Sequence, residues 1–108
     1  MGSRQAQLYL GQRYETGDGV PLELDRARRY YRLCAAQALA ICQYRLGRLL
    51  YDAPQRPERD YLQAIALFQL AAEQNLIDAQ LIASQDASKL SPEQSAWVNT
   101  LKRQIVRK

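Results

Sequence analysis

Any chemistry done by this chain would have to be done without histidine, because the 108 residues contain none. That removes Ser-His-Asp and Cys-His nucleophilic sites, histidine general bases and most zinc sites. Two cysteines, Cys34 and Cys42, form neither a CxxC redox motif nor a metal cluster. Gly17-Asp18-Gly19 lacks the Gly-Lys-Ser/Thr that a phosphate loop needs, and it reads as a turn. Asp18, Glu23 and Asp25 offer carboxylates for calcium, but their spacing is wrong for an EF-hand loop. Asp25 with Arg28 and Arg29 has the spacing of intrahelical ion pairs, worth about 0.2–0.5 kcal/mol each. No catalytic, metal-binding or cofactor-binding constellation emerges, so the expectation is a protein that carries out no reaction.

The elements that could position a binding surface are helical. Hydrophobic residues make up 47% and charged residues 24%, ordinary proportions for one folded domain. No apolar run is long enough for a membrane-spanning helix. Strand signals are nearly absent, and the apolar residues recur at helical spacing. The pattern predicts helices at about 5–16, 23–37, 40–52, 58–75, 78–87 and 92–106. Thr16-Gly17-Asp18-Gly19-Val20-Pro21 and Asp52-Ala53-Pro54-Gln55-Arg56-Pro57 are the clearest breaks. Ser91-Pro92-Glu93-Gln94 reads as an N-cap with a capping box, opening a last helix with Ala96, Trp97, Leu101 and Ile105 on one stripe. In the first helix the expected stripe is Ala6, Leu10 and Tyr14.

The net charge of +4 is unevenly spread: +2 over residues 1–37, −1 over 38–90 and +3 over 91–108. The last value comes from Lys102, Arg103, Arg107 and Lys108 against Glu93. No block of five like charges occurs, so solvated helix faces with a basic end are favoured over a nucleic-acid surface.

The chain also repeats itself. Leu10-Gly11 returns as Leu46-Gly47, Ala27 as Ala64, Tyr31 as Phe68 and Ala35 as Ala72, at offsets of 36 or 37. Cys42 returns as Ala79, after which Ala83-Ser84 stands where Leu-Gly would be. Two helix-loop-helix units are thus followed by a degraded first helix of a third. Gly11 and Gly47 fall where a side chain would block close helix packing, and Tyr14, Tyr31 and Phe68 are expected to fill the gaps between layers.

The first unit reads Ala6, Leu10-Gly11, Tyr14, Gly17-Asp18-Gly19-Val20-Pro21, Asp25, Ala27, Tyr30-Tyr31 and Cys34-Ala35. This resembles the Sel1-like repeat, a relative of the tetratricopeptide repeat. In the second unit Cys42 replaces Ala, Leu50 replaces Tyr, the glycine loop is lost and Leu67-Phe68 stands for the aromatic pair. The resemblance implies an all-α fold, a short α-solenoid with repeats at about 6–37 and 42–75, a partial one at 79–90 and a C-terminal capping helix at about 91–107. Trp97 and Leu101 are expected to close the end of the stack. It also implies an adaptor or scaffold role, in bacteria often in envelope, secretion or host-interaction systems. Met1-Gly2-Ser3 looks like a cloning remnant, which leaves periplasm, envelope and cytoplasm all open.

Cys34 falls in the last turn of one helix and Cys42 in the first turn of the next. Both stand at small core positions, where a free thiol behaves as a small hydrophobe. The same hairpin could bring them within bonding reach in an oxidising compartment. Between these, the free pair is expected.

Helical repeats build a curved surface lined by the first helix of each unit. Equivalent positions make rows: Tyr9, Arg45 and Ile82; Gln12, Arg48 and Gln85; Arg13, Leu49 and Asp86. From these, Tyr9, Gln12, Arg13, Arg45, Arg48, Leu49 and Ile82 are the candidate contacts to a protein or peptide partner. Tyr and Arg are types enriched at binding hot spots. A polyanion or nucleic-acid binder using the basic terminal helix is the alternative.

Overall fold

The structure, a computed structural model, describes residues 3–106 as six helices and, among those residues, no strand. They are α1 (Arg4–Thr16), α2 (Leu24–Ala36), α3 (Ala40–Tyr51), α4 (Glu58–Glu73), α5 (Ile77–Ala87) and α6 (Pro92–Ile105). Each boundary lies within two residues of the one read from hydrophobic spacing and breakers. The fold is a helical-repeat solenoid in which α1 pairs with α2 and α3 with α4, and the pairs stack through α2–α3 and α4–α5.

Local chemistry explains the ends. The Ser91 hydroxyl accepts from the Gln94 amide at 3.1 Å while the Gln94 side chain accepts from the Ser91 amide at 2.9 Å, a complete capping box. Gly17 ends α1 with φ of 74°, and its amide donates to the Arg13 carbonyl at 2.8 Å. The turn after each second helix is a 37-residue copy of the other. Ala38 (φ 65°) and Asn75 (φ 67°) are both left-handed, and the next amides, Leu39 and Leu76, reach back to Cys34 and Ala71. Asn tolerates this region and Ala does not, so the strain sits at Ala38.

The small residues of the repeat do the packing expected of them. A Cβ on Gly11 would stand 2.5 Å from the Tyr31 ring, and one on Gly47 would stand 2.7 Å from Phe68. Tyr31, Phe68, Ala27 and Ala64 are completely buried. Tyr14 stacks on Tyr30 at 5.9 Å, while Tyr44 and Tyr51 tilt against Phe68 at 5.9 and 5.7 Å. The long break between α3 and α4 is pinned by Arg56, whose guanidinium lies between the Tyr51 and Tyr61 rings.

A second set of repeat-equivalent contacts is polar. Gln37 donates to the Gln7 side chain at 2.8 Å, and one repeat later Gln74 donates to Gln43 at 3.1 Å. Gln43 donates across the units to the Ala35 carbonyl at 3.2 Å, and Gln80 does the same to Ala72 at 3.3 Å. Gln43 is wholly buried, and its amide meets partners on both α2 and α4's C-cap. This ladder ties each helix pair together and then to the next.

Three expectations are corrected. Cys34 and Cys42 are bridged rather than free, with their Cα atoms 5.8 Å apart. The tight turn at Gln37–Leu39 brings the last turn of α2 against the first turn of α3, which is bonding reach. In α1 the buried positions are Gln7 and Gly11, while Ala6 is exposed and Leu10 and Tyr14 are half-buried. The outer side of α1 has no neighbouring unit among the described residues, so its equivalent of buried Cys42 faces solvent. In α6 the buried residues are Val98 and Leu101, and Trp97 is 48% exposed. The helix packs along α4 rather than against α5, with Gln94 donating to Glu58 at 2.8 Å and Lys102 paired with Glu73. It therefore rotates its indole outward. Residue 107, the expected end of this helix, lies outside the described residues.

Candidate functional site

The row residues do not all end up together. Tyr9, Gln12 and Arg13 of α1 and Arg45 of α3 line one groove of about 230 Å³, completed by Thr16 and Asp18. Helical spacing explains the α1 set, since residues three or four apart share a face. Arg13 stacks over the Tyr9 ring at 4.7 Å, donates to the Tyr9 hydroxyl, and donates to the Asp18 carbonyl at 2.9 Å. Tyr9 is 53% exposed and contributes nothing to the core.

Arg45 ties this groove to the interior. Its guanidinium lies 3.6 Å from Glu15, whose carboxylate also accepts the Tyr31 hydroxyl at 2.5 Å. Burial, and then the hydrogen bond to Glu15, drives the Tyr31 hydroxyl well above the ordinary tyrosine range. The Arg45 Nε is buried and has no protein partner. The side chain is thus half committed to the fold and half presented to the groove.

The other candidates lie elsewhere. Arg48 pairs with Asp52 at 2.9 Å and, with Leu49, lines a separate groove that also includes Glu15, Leu24 and Pro54. Leu49 and Ile82 are partly buried and pack against the core. Asp86 is buried and accepts the Tyr61 hydroxyl at 2.9 Å; burial first, then Asp86, pushes that tyrosine up to about 12. Of the three rows only Tyr9–Arg45 shares a groove; Arg48 and Leu49 face a different one from Gln12 and Arg13, and Ile82 and Asp86 of the third unit turn inward.

At the basic end one of the two described cations is paired with a carboxylate and the other keeps its charge exposed. Lys102 is held by Glu73 and Gln69, and Arg103 donates to Thr100 at 3.4 Å. Arg107 and Lys108 lie outside the described residues. Among the described residues no group of three or more His, Cys, Asp or Glu side chains is placed to hold a metal ion, and no helix is long and apolar enough to cross a membrane.

Thr16 and Asp18, which border the groove, and Glu15, which holds Arg45 from behind it, escape a reading by repeat-aligned rows because they do not recur at the repeat period. The glutamine ladder does recur, at 7, 43 and 80 and at 37 and 74. Its signal was available as polar identity at the same offsets as the apolar repeat.

Comparison with known proteins agrees with this architecture. The Sel1 repeat model matches residues 4–39 and 40–76. A sel1-like repeat-containing protein of Acanthamoeba polyphaga mimivirus is 30% identical over 86 residues, 80% of this chain and 15% of that protein. A protective antigen present in uropathogenic Escherichia coli strains, whose crystal structure displays an SLR fold, superposes with a TM-score of 0.81 at 28% identity. That match covers 96% of this chain and 22% of the antigen. The chain therefore spans less than a quarter of the length of either relative.

Proposed function

The chain belongs to the Sel1 repeat family, and on that premise we propose that it is an adaptor that holds a protein or peptide partner on the first helices of its units and performs no reaction. Sel1 repeats generally mediate protein–protein interactions. The observation that carries the reading is the α1–α3 groove, where Tyr9, Gln12, Arg13 and Arg45 meet and where the exposed Tyr9 takes no part in the core. Stacked Tyr and Arg present broad, semi-rigid contact area with hydrogen-bonding tips, the character of interface hot spots. The Cys34–Cys42 bridge favours an oxidising compartment, so an exported or envelope-located adaptor is the corresponding placement.

The test separates binding from folding. Arg45 is unsuitable for it, because its link to Glu15 and Tyr31 gives it a share in stability. Tyr9→Ala with Gln12→Ala avoids that link. The melting temperature should stay nearly unaltered, since neither side chain belongs to the core and such substitutions cost about 0.5 kcal/mol or less. Capture of the native partner should weaken tenfold or more, corresponding to ~1.4 kcal/mol. Unchanged capture by this variant, with binding abolished by neutralising Lys102 and Arg103, would replace the adaptor reading by polyanion binding.

A further inference from the structure

Among the described residues no helix covers the partner-facing side of α5. In α1 and α3 one face is covered by the partner helix of the same unit: Gly11 lies against Tyr31, and Gly47 against Phe68. The equivalent face of α5 carries Gln80, Leu81, Ser84 and Ala87, at the positions of Gln43, Tyr44, Gly47 and Leu50. In α3 those four are buried or half-buried; in α5 all four are exposed, because α6 lies along α4 instead. Ile77, one turn earlier on the same face, is 76% exposed, and Leu81 is 64% exposed. Beside them runs a groove of about 350 Å³ lined by Ala72, Glu73, Gln80, Ala83, Ser84 and Ala87.

We propose that this face pairs with the same face of a second copy of the chain, as an antiparallel α5–α5 contact about a twofold axis between Leu81 and Ser84. Ile77, Leu81, Ser84 and Ser88 follow one another at intervals of four, three and four, the spacing of a two-helix seam. Their sizes are ordered, with large residues in the first half and small ones in the second. Antiparallel pairing about that axis sets Ile77 of each copy against Ser88 of the other, and Leu81 against Ser84. Each large side chain thus meets a small one, which an isologous contact requires of a single surface. Charge agrees with size. The charge flanking the seam is Asp78 near the start of α5, and the twofold axis brings it alongside Gln85 and Lys89 of the second copy, whose exposed ammonium lies 3.7 Å from Asp86 of its own chain, so no like charges oppose. Glu73, on the rim, is already paired with Lys102. The contact is about three helical turns long, below the size of a stable interface, so the dimer is weak, with a dissociation constant on the order of 10–500 µM.

Sedimentation velocity from about 5 µM to 1 mM tests this. The weight-average mass should rise from 12.4 kDa toward twice that value. Leu81→Glu should remain monomeric across the range, with unchanged helicity and melting temperature, since Leu81 is exposed. With the native cysteines bridged, Ser84→Cys adds the single free thiol, beside the axis. Mild oxidation should convert most of it at 200 µM to a covalent dimer, while Asn99→Cys on exposed α6 should stay monomeric. A wild-type protein that remains 12.4 kDa throughout overturns the proposal, as does dimerisation that Leu81→Glu leaves intact. A monomer whose capture of a different protein is lost in Leu81→Glu also overturns it, by giving the face another occupant.

Discussion

Replacing Gln43 with leucine separates the polar ladder from the apolar repeat. The side chain is wholly buried, donates to the Ala35 carbonyl at 3.2 Å and accepts from Gln74 at 3.1 Å. Leucine is close in volume, so the cavity contribution is small and the loss is mainly two hydrogen bonds. Each is worth about 1 kcal/mol net, and a buried group left without a partner costs about 1–3 kcal/mol. The Ala35 carbonyl keeps the Ala38 amide at 3.0 Å, and Gln74 is exposed and can turn to water, so the lower end of that range applies. The expected loss is about 2 kcal/mol, or roughly 8–16 °C in Tm for a domain near this size. The repeat equivalents provide internal controls. Gln7 keeps one ladder bond at the edge, so Gln7→Leu should cost about 1 kcal/mol. Gln80 is exposed, so Gln80→Leu should fall within about 0.5 kcal/mol of wild type. Chemical denaturation of the three variants measures the order directly. A Gln43→Leu protein as stable as wild type, or an order with Gln80 first, would refute the claim that the ladder joins the units.

Gly47→Leu should destabilise by about 3 kcal/mol or more, because even its Cβ would enter the Phe68 ring; Gly17→Ala should cost about 1–2 kcal/mol from its positive φ, seen as a smaller fall in denaturation midpoint. Ala38→Gly should raise stability by about 0.5 kcal/mol, since relief of a left-handed alanine exceeds the added chain entropy. Asn75→Gly should change it less. The Tyr61 hydroxyl, raised to about 12, favours the neutral form in the folded state. Its contribution is therefore fully present below pH 10 and is lost as pH rises through 12. Denaturation midpoints between pH 9 and 12 should fall less steeply for Tyr61→Phe than for wild type.

Helix positions and unit pairing were legible because Gly, Pro and capping residues act locally, and because Gly11 and Gly47 announce close packing wherever they recur. The first groove residues were legible for the same reason: Tyr9 and Arg45 are 36 positions apart in two units that stack regularly. The rest depends on which neighbour a helix chooses. Trp97 lies on the sequence's apolar stripe, yet α6 settles on α4 through Val98 and Leu101, and no periodicity distinguishes those two faces. Ile82 and Asp86 lie at repeat spacing, but their burial follows from α5 packing on α4 alone. Gln43 recurs at the ladder's offsets, but recurrence of a polar residue does not by itself say that it is buried. Only its partners on both sides show that burial is its role.

Photo-crosslinking in the native cell tests the adaptor surface most directly. A benzophenone side chain placed at Gln12 in the α1–α3 groove, at Arg29 on exposed α2 and at Arg103 on α6 compares three faces of one folded protein. The adaptor account predicts one discrete protein adduct from position 12, abolished by Tyr9→Ala, and none from positions 29 or 103. An adduct confined to position 103, or one with nucleic acid, would contradict it.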